Sequence, residues 1–186
     1  VFSEAHSRSY PLAANWMLYC DNYLEGLHIP YIHPALFKAL DFKGYETHNL
    51  PCGVLQIGLA SEDEVAFDLP PDHPEAGKRV AAFYFWLFPN LMLNFYPWGL
   101  SLNRIAPLGL AQTEVEYFVW IHRPELMDAG AGGDIDTTEK EDHSVILSVQ
   151  QGLQSPLYHR GTYAPEMEKG VRLFHQLLQD IVPENP

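Results

Sequence analysis

Between Tyr45 and Trp120 the chain is built from short apolar runs rich in β-branched and aromatic residues: Val54 to Leu59, Ala82 to Phe88, Leu91 to Tyr96 and Val115 to Ile121. Pro, Gly and Asn separate them, which stops helices and favours hairpins, so the stretch predicts an antiparallel sheet. Segments of helical period lie on either side. Asn15 to His28 sets Trp16, Tyr19, Cys20, Tyr23, Leu24 and Leu27 on one stripe, and Asp142 to Leu153 carries Val145, Val149 and Leu153 at the same spacing. A last helix is expected from about Pro165, with Met167, Val171, Phe174, Leu178 and Ile181 along one side. Pro30 is expected to end the first helix, and Pro34 to open another over Ala35 to Leu40. Helices around a central sheet indicate an α+β fold, and 186 residues are enough for one such domain. The block Phe83 to Trp98 reads as core. Asp128 to Asp134, glycine and alanine inside, reads as a flexible acidic linker.

A net charge of −13 repels phosphate backbones and anionic surfaces, which excludes nucleic acid as a partner class. Prolines break the longest apolar stretches well short of the ~20 residues that a membrane helix needs, so neither a span nor a signal segment is expected, and the cytoplasm is the expected setting. Cys20 and Cys52 are expected to be reduced and buried.

The segment with most chemistry is Asn22-Tyr-Leu-Glu25-Gly-Leu-His28-Ile-Pro30-Tyr-Ile-His33-Pro34. Residues five apart on a continuous helix are turned by roughly 140°, so two imidazoles at that spacing share one ion only across a helix break. Pro30 is expected to supply it. This string, the run Phe85-Trp-Leu-Phe-Pro-Asn-Leu-Met-Leu-Asn94, the pair Glu141-Asp142 followed by Ser148-Val-Gln-Gln-Gly-Leu153, then Gly161, Glu168 and Phe174-His175 appear in one order along nearly the whole chain. Together they resemble the catalytic domain of the large subunit of Rieske ring-hydroxylating oxygenases, in the branch related to choline- and carnitine-type monooxygenases.

The resemblance implies an antiparallel sheet wrapped around a long C-terminal helix, the helix-grip arrangement of Bet v 1 and START-like domains, over residues 1–186 as a single catalytic domain. It implies a mononuclear ferrous iron held by His28, His33 and Asp142, a face-sharing triad that leaves positions open for dioxygen beside a small organic or aromatic substrate. Glu141 is the rival acid, and a helix N-cap is the plain alternative for Asp142. Glu25 is implied as the bridge between a ligand histidine and the Rieske cluster of an adjacent subunit, and Asn22 as an active-site residue contacting substrate. The two-iron, two-sulfur cluster needs Cys-x-His and Cys-x-x-His pairs, and neither follows Cys20 or Cys52. The Rieske domain is therefore expected outside this chain, with a reductase or ferredoxin behind it and a homo-trimer as the intact assembly. Such a chain is expected to bind iron yet be inactive alone. Two other functions compete: a zinc hydrolase on the same ligands, and a metal-free module that binds hydrophobic ligands in the same fold.

Overall fold

In the computed structural model, which describes residues 1–181, seven strands follow in chain order: β1 (Phe2–Leu12), β2 (Glu46–Leu50), β3 (Gly53–Leu59), β4 (Val80–Leu87), β5 (Leu91–Tyr96), β6 (Gly99–Gly109) and β7 (Gln112–Ile121). They form one antiparallel sheet in the order β1-β7-β6-β5-β4-β3-β2. The helices are α1 (Trp16–Tyr23), α2 (Ile29–Ile32), α3 (Pro34–Ala39), α4 (Ile135–Leu153) and α5 (Lys169–Ile181). The α+β expectation stands. The C-terminal helix α5 is 13 residues long and α4, at 19, is the longer of the two.

Period-two alternation decides which side of the sheet the helices cover. On β4, Ala82, Tyr84 and Trp86 are buried while Phe83, Phe85 and Leu87 keep surface. Phe83, Phe85 and Phe95 thus belong to the outer face, so only alternate members of the aromatic block are core. On the inner face Val54, Trp86 and Met92 lie opposite one another across β3, β4 and β5, and the next row is polar: Gln56, Tyr84, Asn94 and Ser101. An apolar end and a polar middle therefore share one sheet face, and the polar row floors the site described below.

Strands β1, β2 and β6 escape the apolar-run reading because they alternate weakly or are mostly polar. Their pairing partners and not their own hydrophobicity hold them in the sheet. Helix α5 begins later than expected. Its Phe174, fully buried, sits edge-on to Trp86 (centroids 5.2 Å apart) and Trp16 (5.7 Å), which closes the apolar end. Gly170 permits the close approach: a Cβ there would lie 2.7 Å from the Leu24 carbonyl oxygen. Residues 182–186 lie outside the described residues. Both cysteines are free, Cys20 buried as expected and Cys52 exposed at the β2–β3 turn.

A second tie holds α5 to α1. His175 Nε2 is 2.8 Å from Asp21 Oδ1, and its Nδ1 meets the Tyr163 hydroxyl. The Asp21 hydrogen bond raises the His175 pKa against the opposing effect of burial, with the Asp21 and Glu168 charges adding to the rise. A raised folded pKa means that this stabilisation is complete below the unfolded imidazole value and is lost as pH rises through the folded one. Thermal denaturation across neutral pH should therefore show a decline in Tm that His175→Gln removes.

Candidate metal centre

Helix α1 ends a turn sooner than its apolar stripe predicts. Leu24 caps it, with its amide bonded back to the Cys20 and Asp21 carbonyls at 3.0 and 3.3 Å. The helix break therefore spans Leu24 to His28 and does not lie at Pro30. Pro30 instead occupies the first turn of α2, where a missing N–H loses no bond. Glu25 organises the break: its Oε2 accepts from the Leu27 and His28 amides, the latter at 3.2 Å, while Oε1 lies 2.5 Å from His28 Nδ1. Glu25 and His28 are neighbours as expected, but through this turn and not across a helix face.

His33 stands at the junction of α2 and α3 and is buried, its side chain 2% exposed. Asp142 comes from the middle of α4. That helix begins at Ile135, capped by Asp134, whose carboxylate accepts from the Thr137 amide at 3.1 Å. The N-cap alternative for Asp142 is thereby removed. His28, His33 and Asp142 each offer a ligand atom, and these atoms lie within 4.8 Å of one another. Asp142 Oδ1 is 3.0 Å from His33 Nε2 and 3.6 Å from His28 Nε2.

The outer contacts give this cluster a direction. His28 Nδ1 faces Glu25 and His33 Nδ1 faces Glu141, at 2.7 Å. Carboxylates only accept, so each Nδ1 carries a hydrogen; without an ion His33 Nε2 can likewise only donate to Asp142, and an ion between them would take the place of that hydrogen and meet the Nε2 lone pairs of neutral rings. Glu141 and Asp142, successive on a helix, diverge by about 100°; the first lies behind His33 and the second in front of it. Asn22 lines a cavity that adjoins this cluster, and its amide nitrogen donates to Asp142 Oδ1 at 2.6 Å, so this donor orients the carboxylate. Burial opposes protonation of His33, but hydrogen bonds and charge from Asp142, followed by those of Glu141, raise its pKa. The donor set fits a divalent cation of intermediate softness: two imidazoles and a carboxylate with no thiolate.

A cavity of ≈ 80 Å³ adjoins the cluster. Tyr19, Tyr23, Tyr45, Tyr84 and Tyr96 line it with Asn94 and Asn103, beside Glu139. The expectation of a solvated linker at 128–134 fails here. Gly132 is buried, its carbonyl accepts from Trp98 Nε1 at 3.1 Å, and a Cβ on it would come within 2.7 Å of Tyr96 Cγ. Small residues are present because this segment packs against two aromatic rings, a reason that composition alone does not reveal. Glu139 and a role for the lining tyrosines are not evident from the sequence, and Glu141 enters there only as the rival acid to Asp142. The available signal was helical spacing: Glu139 and Asp142 share one face of α4, as Tyr19 and Asn22 share one face of α1.

The model of the family described as "Ring hydroxylating alpha subunit (catalytic domain)" matches residues 2–184. The chain belongs to this family. Among relatives of this ring-hydroxylating catalytic domain, the chloroplastic choline monooxygenase of Arabidopsis thaliana is 34% identical over 180 residues, 92% of this chain and 40% of that protein. The carnitine monooxygenase oxygenase subunit of Escherichia coli K12 is 29% identical over 180 residues, 90% of this chain and 47% of that one. The solved structure of a quaternary ammonium Rieske monooxygenase shares the fold, with a TM-score of 0.77 at 23% identity over 96% of this chain and 50% of the other. The chain thus spans two fifths to one half of these relatives, which by name are monooxygenases. Among the described residues no helix is long and apolar enough to cross a membrane. Chloroplastic relatives show that membership does not by itself imply the cytoplasm.

Proposed function

We propose that residues 1–186 are the catalytic domain of a Rieske-type monooxygenase in which His28, His33 and Asp142 hold one ferrous ion. The observation that carries this reading is the convergence of two imidazole Nε2 atoms on one carboxylate, with both Nδ1 atoms held from behind by Glu25 and Glu141. When bound, such an ion supplies the redox chemistry that activates dioxygen. The protein's own part is to orient ligands, shape the cavity and restrict water. Neither competing function has an observation in its favour: imidazoles aimed at one point do not suit a metal-free pocket, and no His-Glu-x-x-His motif offers a hydrolase base.

Electrons come from a two-iron, two-sulfur Rieske cluster outside these residues, reduced in turn by a reductase or ferredoxin, within a homo-trimer that brings neighbouring subunits together. Glu25 is the bridge on this side. It and His28 also line a groove of ≈ 590 Å³ that approaches the centre from outside, through Asp21, Tyr163 and His175. Asn22 acts on substrate mainly through the Asp142 carboxylate it orients.

The substrate class follows from the cavity. Five tyrosines in its lining favour a cation, because aromatic ring faces attract positive charge. Choline, carnitine and putrescine, the compounds named in the relatives, each carry a cationic nitrogen, carnitine with a carboxylate as well. We therefore assign a small cationic nitrogen compound, hydroxylated with one atom of dioxygen. Calorimetric titration of the iron-loaded protein with choline and with its uncharged carbon isostere 3,3-dimethylbutanol should show at least ~10-fold tighter binding of the cation, the cation–π contribution of about 1–2 kcal/mol. Equal affinities would contradict the assignment.

A further inference from the structure

A second cavity, of ≈ 250 Å³, lies on the other side of Glu139, and Tyr117, Arg8, Tyr10 and Asp136 line it. Glu139 and Ile135 border both cavities. Tyr19 faces the inner one only, beside the candidate metal centre, and Tyr117 faces the outer one. Between them three oxygens close a ring. Tyr19 Oη is 2.7 Å from Tyr117 Oη and 2.5 Å from Glu139 Oε2, and Tyr117 Oη also meets Glu139 Oε2.

This ring has one hydrogen too few when Glu139 is ionised. Each phenol has one O–H to donate, so two hydroxyls serve two of the three contacts. Filling the third takes a proton on the carboxyl. From this geometry we infer that Tyr19, Tyr117 and Glu139 form a proton relay that joins the outer cavity to the inner one and supplies the reaction at the metal centre. The inference rests on the monooxygenase reading given above, since that reaction consumes two protons and two electrons for each dioxygen.

The transfer balances without any electron moving in the relay. A water-borne acid in the outer cavity gives a proton to Tyr117, which passes its own to Glu139. Glu139 passes one to Tyr19 as the Tyr19 O–H breaks toward an acceptor in the inner cavity. The same two phenols and the carboxyl are then restored with their original hydrogens. The reductant is the Rieske-type donor, and its electrons travel separately through Glu25.

The surroundings keep Glu139 able to exchange a proton at neutral pH. Although the residue keeps some surface along the two cavities, protein encloses its carboxyl, and burial pushes the pKa up to about 7. The Asp142 charge adds to this rise, while the two tyrosine hydroxyls and His33 oppose it. Tyr23 on α1, Tyr96 on β5 and Tyr10 on β1 also face the carboxyl, and Arg8 and Asp136 flank Tyr10. Burial raises the Tyr19 and Tyr117 pKa values well above the ordinary phenol value, so both remain donors.

Two measurements test the relay with Glu139→Gln, which keeps the side chain's shape, and Tyr117→Phe, which removes only the outer hydroxyl. Infrared titration of this chain should show a protonated carboxyl band that fades around neutral pH and is missing in Glu139→Gln. In the oxygenase assembled with its electron donor, both variants should keep wild-type iron content. Product formation should fall ~100-fold, with the pH profile flattened and a larger solvent deuterium effect. Wild-type rate and pH profile in both variants, or no carboxyl band that depends on Glu139, would overturn the relay. Failure of the wild-type protein to bind iron or form product would instead refute the monooxygenase reading, and the infrared titration would still decide whether Glu139 holds the proton.

Discussion

Replacing His33 with alanine should abolish stoichiometric ferrous ion binding, lowering affinity by more than ~100-fold, whereas Glu141→Gln should lower it by only about 10–100-fold. The difference follows from the two nitrogens of one ring. His33 Nε2 is turned toward Asp142, 3.0 Å away, and its loss removes a ligand. Nδ1 is held by Glu141 at 2.7 Å, and a glutamine oxygen can still accept that hydrogen, so the ring keeps its tautomer and most of its aim. Anaerobic equilibrium dialysis of the two variants gives the ranking directly. Equal losses would mean that Glu141 is itself a ligand, and no loss in His33→Ala would remove the metal centre altogether.

Phe174→Ala should cost about 3–5 kcal/mol of stability, the usual range for emptying a fully buried aromatic site. For a chain of this length that is a fall in Tm on the order of 10 °C. The ring fills the space between Trp16 on α1 and Trp86 on β4, and a cavity there cannot close without moving α5, which Gly170 already holds against the Leu24 carbonyl. The ligands come from the α1–α2 break, the α2–α3 junction and α4, so iron affinity of the folded variant should not change. Chemical denaturation with and without iron separates the two quantities. A loss under ~1 kcal/mol would show that α5 is not docked as described.

Much of this molecule was legible before any coordinates, for reasons tied to particular residues. Alternation and punctuation locate β3, β4, β5 and β7 because each buries one face, and the His28 to His33 segment stands out because two imidazoles separated by a break require special geometry. Strands β1 and β2 carry too little apolar contrast to be read alone. The place of β1 depends on β7, which is distant in sequence, and that of β2 on the hairpin it makes with β3. The apolar stripe overstates the length of helix α1 because Leu27 continues it, while the chain there follows Glu25, whose carboxylate bonds the backbone of the turn. The role of Glu141 and the ring formed by Tyr19, Tyr117 and Glu139 were illegible for the same reason: each joins residues more than twenty positions apart whose types are ordinary singly. The glycines of 128–134 misled in the other direction, since close packing against Tyr96 and Trp98 demands the same small residues as a flexible linker.

X-ray absorption at the iron edge, on the wild-type chain loaded anaerobically with ferrous ion, most directly tests the claim on which the proposed chemistry rests. One tightly held iron per chain, with two imidazoles and a carboxylate in its coordination sphere, is the predicted spectrum. An all-oxygen shell without imidazole scattering, or less than one tightly bound iron per chain, would contradict it.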